Sequence, residues 1–152
     1  MKTFKTALFS ALAAVLVLGA AAVSAQSKTE PAIGGYCPVA YIQANMASKG
    51  DAKFTSVSPI DGETYQLSNA MAKEMFDKMP EKYTPAYGGY CAAAVAKGMK
   101  LKADPKLFVI ENGKTYLFST AEAKKMFEAD KAGMIKMADA NWPKVKAMPA
   151  MK

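Results

Sequence analysis

The chain has 152 residues, of which 51% are apolar, and a net charge of +7, so it predicts one globular domain with a hydrophobic core. All 20 basic residues are Lys and there is no His, which excludes an imidazole base, a His-ligated metal or haem, and guanidinium recognition of phosphate. Because the lysines are scattered, the composition also argues against nucleic-acid binding.

The first 25 residues have the layout of a secretory signal peptide. Lys2 and Lys5 precede an uncharged run over 6–23, and Val23-Ser24-Ala25 is a small-residue cleavage site. Cleavage would leave a periplasmic or secreted protein without stable membrane insertion. An uncleaved anchor is the alternative, because the apolar run approaches the ~20 residues that a spanning helix needs.

The mature chain divides into three parts. Residues 26–32 are polar and predict a flexible leader, and 33–146 predict the folded domain. Residues 147–152 predict a disordered tail.

One unit occurs twice within the domain, over 62–76 and 113–127, with nine of fifteen positions identical. Each copy starts at the Gly of an Asp-Gly or Asn-Gly dipeptide, Asp61-Gly62 or Asn112-Gly113. This dipeptide lies between two short apolar segments and predicts a β-hairpin with a tight turn. A segment with helical apolar spacing follows. The predicted fold is therefore α+β, with two pseudo-repeated β-hairpin-plus-helix units.

Residues that begin or end helices refine this prediction. Ser68 and Ser119 are the expected N-caps of the two repeated helices, and Pro80 is expected to stop the first. Two further helices are predicted over 92–98 and 132–145, the second with Trp142 as a packing anchor.

A shorter echo contains the two cysteines of the chain. Gly34-Gly35-Tyr36-Cys37 recurs as Gly88-Gly89-Tyr90-Cys91. Adjacent glycines allow a sharp turn or a close approach to another backbone. The echo predicts two loops of one design, each presenting a Tyr and a thiol.

At these residues the chain resembles the YHS domain family, and most closely its longer exported bacterial members. The family's strand, helix and closing turn correspond here to Gly62, Tyr65, Leu67, Ser68, Asn69, Ala72, Phe76, Pro80 and Tyr83. The likeness to the longer members runs from 34–41 through 87–92 to 138–143. It implies the fold and, for the family, metal binding through cysteines. Those two thiol positions are occupied here by Ser68 and Ala72, and by Ser119 and Ala123 in the second copy, so that metal site does not carry over.

Cys37 and Cys91 are the remaining candidates for chemistry, and three interpretations stay open. They form a disulfide, they are two free thiols without a role, or they are a dithiol that binds a soft metal such as copper(I) or responds to redox state. Ten methionines beyond the initiator give the copper hypothesis limited support, because Met also fills irregular cores.

Four tyrosines in or beside the same loops are candidate ligand-binding residues: Tyr36, Tyr41, Tyr87 and Tyr90. They either line a small-ligand pocket or pack over the loops.

No pair of acidic or basic side chains has a spacing that indicates catalysis, so an enzyme is not predicted. The function expected from the sequence is an exported YHS-domain accessory protein that binds copper or another soft metal through paired thiols. The alternative is a structural or small-ligand-binding module in which Cys37 and Cys91 form a disulfide.

Overall fold

The computed structural model describes residues 30–151, so the predicted signal peptide and residues 26–29 of the leader lie outside the described residues. The first half contains the first Gly-Gly loop (Ala32–Gly35), α1 (Pro38–Ala44), β1 (Asp51–Val57), β2 (Thr64–Leu67), α2 (Ala70–Lys78) and α3 (Pro80–Tyr83). The second half contains the second Gly-Gly loop (Ala86–Gly89), α4 (Ala92–Ala96), β3 (Asp104–Glu111), β4 (Lys114–Phe118), α5 (Ala121–Ala129) and α6 (Lys131–Lys146).

Helices and two small antiparallel sheets alternate along the chain, which confirms the predicted α+β class. Each copy of the sequence repeat provides a β2-α2 or β4-α5 segment, whereas a spatial symmetry between the copies stays a prediction. Among the described residues, no helix has the length and hydropathy needed to cross a bilayer.

The two hairpins have different turns. Asn112 and Gly113 have φ values of 49° and 73° and form the two-residue turn that the sequence predicts between β3 and β4. Asp61 and Gly62 instead belong to a longer connection, in which the Gly62 amide donates to the Ser58 carbonyl at 2.8 Å. The prediction of a tight first turn is therefore wrong. The longer connection brings Asp61 back toward β2, where its carboxylate accepts from the Tyr65 hydroxyl at 2.7 Å.

The repeated helices begin one residue later than the sequence indicated. The Asn69 side chain accepts from the Ala72 amide at 2.8 Å, and the Thr120 side chain accepts from the Ala123 amide at 3.1 Å. These residues are the last with an extended backbone, which is the conformation that an N-cap requires. Ser68 and Ser119, the predicted caps, each lie one position too early.

Buried apolar residues form two clusters, one for each half of the chain. The first-half cluster consists of Cys37, Val39, Tyr65, Leu67, Ala72, Phe76 and Tyr83. The second-half cluster consists of Ala86, Tyr87, Cys91, all five residues of α4, Tyr116, Phe118, Phe127, Met134, Ala138 and Val145. The small side chains of α4 allow α6 to pack closely against it, and the Asn141 amide donates to the α4 carbonyl of Ala96 at 2.9 Å.

Met148 and Met151, in the tail predicted as disordered over 147–152, contact the rest of the domain, and Lys152 lies outside the described residues. The Met151 amide donates to the Lys100 carbonyl at 2.8 Å, and Met148 packs against the second-half cluster. At the other end, Glu30 in the predicted leader forms an ion pair with Lys102 at 2.8 Å.

The cap assignment predicts a difference between neighbouring residues. Asn69→Ala should lower the free energy of unfolding by about 1 kcal/mol, because it leaves the Ala72 amide without its acceptor. Ser68→Ala at the exposed preceding residue should change it by less than about 0.5 kcal/mol. Urea unfolding followed by circular dichroism measures both values, and equal losses would contradict the assignment.

Candidate functional site: a cavity beside the second Gly-Gly loop

The structure encloses each cysteine in a different buried cluster. Cys37 is 0% exposed in the first-half cluster, and Cys91 is 1% exposed in the second-half cluster. Both are free thiols at the start of a helix, α1 for Cys37 and α4 for Cys91. The two loops are thus of one design, as predicted, but each delivers its thiol to the core of its own half. Pairing of the two thiols, by a bridge or a shared metal, stays a prediction.

Ser119 contacts one of these thiols. Its hydroxyl donates to the Cys91 sulfur at 3.3 Å. Ser119 stands at the position where the resemblance implies a family thiol, so this position still lies beside a sulfur atom. Within the described residues, no group of three or more Asp, Glu or Cys side chains is placed to hold a metal ion.

A candidate site that combines aromatic and charged side chains is a cavity of about 190 Å³ beside the second Gly-Gly loop, called here the Tyr87 cavity. Four segments surround it: the connection between β1 and β2, the second Gly-Gly loop with the residues before it, the start of β4, and α6. Its lining residues are Ile60, Asp61, Thr84, Pro85, Ala86, Tyr87, Gly88, Lys114, Tyr116, Asp139 and Trp142. The site therefore joins aromatic rings to charged groups of both signs.

The aromatic wall is built around Tyr87. Its ring centroid lies 5.7 Å from that of Trp142 in an edge-to-face arrangement and 6.0 Å from that of Tyr116. The Tyr87 hydroxyl donates to the Asp139 carboxylate at 2.8 Å. Burial first, and then this hydrogen bond, raise the pKa of Tyr87, so the phenol stays neutral and remains a donor at physiological pH.

The Tyr87 backbone has a φ of 55°, in the left-handed region that non-glycine residues seldom adopt. Such strain often marks a functional site. However, Ile33 has a φ of 50° at the corresponding position of the first Gly-Gly loop. The strain therefore comes from the loop design, and the case for a site depends on the side chains.

Lys114 is the one cation among the lining residues, and it stands at the start of β4. Its ammonium donates to the Glu81 carbonyl at 2.9 Å, whereas no carboxylate of the described residues lies within 4 Å of it. Partial burial lowers the pKa of Lys114, and the field of Asp61 partly opposes this effect. Lys114 is thus a desolvated positive charge that a bound anion would stabilise.

The two carboxylates of the cavity differ in what they already bind. Asp61 uses both oxygens, since Oδ1 accepts from the Glu63 amide at 3.0 Å and Oδ2 accepts from the Tyr65 hydroxyl at 2.7 Å. Asp139 accepts from Tyr87 through Oδ1 alone among the described residues. Asp139 is also exposed, so its second oxygen is the acceptor that a ligand can reach.

The four tyrosines predicted to bind a ligand do not share one pocket. Tyr87 lines the Tyr87 cavity, whereas Tyr90 lines a separate cavity of about 480 Å³ that includes Gly34 and the ion-paired Lys102. Tyr41 is fully buried and donates to the Pro105 carbonyl at 2.7 Å. The Lys49 ammonium covers the Tyr36 ring at 4.4 Å from its centroid. Of the four, Tyr87 is thus the one that lines the same cavity as Lys114 and Trp142.

Not all of the methionines are buried in the core. Met71 on α2 and Met79, just after the end of α2, are 72% and 44% exposed, whereas Met75 between them packs partly against the first-half cluster. Exposed thioethers do not fill the core, so packing explains only part of the methionine content.

Sequence reasoning missed Lys114, Tyr116 and Asp139 as site residues and gave Trp142 only a packing role. One signal was available: Lys114 and Tyr116 belong to the repeat, and Lys114 replaces Glu63 there. Asp139 and Trp142 are three residues apart, a spacing that puts both on one helical face.

Comparisons with protein-family models, with curated proteins and with solved structures each gave no match to this chain.

Proposed function

We propose that the protein is a small-ligand-binding module and that the Tyr87 cavity is its binding site. One observation carries the proposal: the partly buried ammonium of Lys114 has no ion-pair partner within the described residues and opens on a cavity walled by Tyr87, Tyr116 and Trp142. Partial burial of an ammonium costs free energy when no anion is near, and a bound anion offsets that cost. Ligand sites typically have aromatic walls and a few polar groups that converge on the ligand.

The volume limits the ligand. Pockets for drug-sized molecules occupy roughly 300–1,000 Å³. The Tyr87 cavity, at about 190 Å³, suits a smaller organic molecule. We therefore infer a ligand with one anionic group for Lys114 and a short apolar part for the aromatic wall.

The resemblance to exported YHS-domain proteins suggests the cellular compartment in which this module acts. We propose an exported protein of that family whose ligand is captured outside the cytoplasm. The support is the order of sequence motifs from the first Gly-Gly loop to α6, together with the signal-peptide layout of residues 1–25. N-terminal sequencing of the protein recovered from its native host would test the export step.

The binding proposal predicts which residues respond to a small anion. On adding benzoate to the full chain, amide NMR signals around Tyr87, Lys114 and Trp142 should shift and saturate, because the carboxylate pairs with Lys114. Lys114→Met should weaken binding by about tenfold, the effect of losing one hydrogen bond to a charged group. Lys136→Met is the matched control, because Lys136 is an exposed lysine on α6 outside the lining. Absence of saturable shifts in the folded wild type would refute the proposal.

The lowered pKa of Lys114 predicts a pH dependence. Its ordinary value is 10.5 and burial lowers it, so the ammonium loses its proton at a pH below 10.5. Benzoate affinity should therefore fall as the pH rises through that lowered pKa, since benzoate itself stays ionised there. Lys114→Arg should retain binding over the same pH range, because guanidinium remains protonated. Titrations of Trp142 fluorescence at increasing pH measure this, and a parallel fall in both proteins would contradict the assignment.

Soft-metal binding through Cys37 and Cys91 is a second proposal, favoured by the finding that both thiols are free. It predicts that reduced protein competes with a chromogenic chelator for one copper(I) ion, and that Cys37→Ala and Cys91→Ala each abolish this capacity. Retention of copper by either single variant would exclude a shared thiol site. Unfolding the protein in denaturant should then expose two reactive thiols in the wild type and one in each variant.

A further inference from the structure

The Tyr87 cavity presents opposite charges on different structural elements. Lys114 supplies the positive charge from β4, and Asp139 supplies a negative charge from α6. Burial lowers the pKa of Lys114, and the charges of Asp61 and Glu81 partly oppose this effect. Burial first, and then Asp139, raise the pKa values of Tyr87 and Tyr116. Neither Lys114 nor Asp139 forms an ion pair within 4 Å among the described residues, so each can accept an opposite charge from a ligand.

The surroundings of Asp139 suit an ammonium group. One carboxylate oxygen is held by the Tyr87 hydroxyl at 2.8 Å, which fixes the orientation of the carboxylate. The other oxygen has no donor among the described residues, and Trp142 lies one helical turn further along α6. An amine placed there would meet a carboxylate in a cavity that Trp142 also lines, and carboxylates together with aromatic rings bind organic cations.

Resting on the proposed function, we infer that the ligand is a zwitterion of amino-acid size. Its carboxylate would face Lys114, its ammonium would face Asp139, and its short side chain would lie against Tyr87 and Trp142. A ligand with both charges neutralises both groups, whereas a simple acid leaves Asp139 unpaired and a simple amine leaves Lys114 unpaired. The volume of about 190 Å³ excludes much longer peptides from complete enclosure.

Three probes with the same branched alkyl group test this inference. They are L-valine, 3-methylbutanoate without the amine, and 2-methylpropylamine without the carboxylate. Binding to the full chain is followed by Trp142 fluorescence and confirmed by calorimetry at neutral pH. L-Valine should bind at least about tenfold more tightly than either analogue, because each analogue forfeits one charged contact.

Variants assign each charge to its residue. Lys114→Met should remove the advantage of L-valine over the amine, and Asp139→Asn should remove its advantage over the acid. Asparagine keeps an acceptor for Tyr87, so the second change removes charge with little change of shape. Glu122→Gln, at an exposed position on α5 outside the lining, and Lys136→Met are the controls and should leave all three affinities unchanged. Lys114→Gln replaces Lys114→Met if thermal melting shows that the methionine variant is unfolded.

The outcomes separate the two proposals. If benzoate binds in the cavity but L-valine binds no better than its tighter analogue, the zwitterion inference is wrong and the small-ligand function stands. If neither benzoate nor any of the three probes binds, both are wrong. Tighter binding of L-valine that survives both Lys114→Met and Asp139→Asn would place its site elsewhere and overturn the inference.

Discussion

Close packing of the two Gly-Gly loops is the constraint on which the rest of the structure depends. Gly89 has a φ of 78°, and a Cβ atom at this position would collide with the Ile33 side chain. Only glycine satisfies both the backbone conformation and the available space. This contact joins the halves of the domain at the point where each loop leads into a helix. The Tyr41 hydroxyl donates to the Pro105 carbonyl at 2.7 Å and ties the same halves together, and a second hydrogen bond of 2.7 Å joins Ser58 to Thr84 in the segment between the halves.

Two loops of one design acquire different surroundings because the halves are extended differently. Tyr87 occupies the place that Ile33 has in the first loop, so a phenol replaces an aliphatic side chain. The helix α6 follows the second unit and brings Asp139 to the hydroxyl of that phenol. At the corresponding place in the first unit, α2 is followed by the single turn α3. A cavity with charged groups therefore forms beside the second loop, and the one sign of the difference within the repeat is the replacement of Glu63 by Lys114.

The sequence predicted what depends on local chemistry. The Asn112-Gly113 turn and α6 follow from turn residues and apolar spacing, with α6 one residue longer at each end than expected. The N-caps were misplaced by one position because Ser, Asn and Thr all cap helices, and a Ser-Asn or Ser-Thr pair does not indicate which one does. The echo of the cysteines specifies two loops of similar design, but not where the two thiols lie relative to each other. Which cluster each thiol enters, and which face of α6 meets Tyr87, depend on packing between distant segments that no local pattern encodes.

Burial decides which of the reactive groups is suited to bind a ligand without reorganising the fold. Cys37 and Cys91 are 0% and 1% exposed, so a metal would require two thiolates to form inside apolar clusters. Lys114 lies at the boundary between core and solvent, where it keeps its charge but has lost part of its hydration. The cost of desolvating this ammonium is already part of the folded state. A carboxylate that binds therefore gains the attraction to the ammonium, and little further desolvation of Lys114 opposes binding. Asp139 is exposed and keeps its hydration, but its orientation is fixed by Tyr87 before any ligand arrives. Preorganised charge at a partly solvated wall therefore favours the Tyr87 cavity over the buried thiols as the binding site.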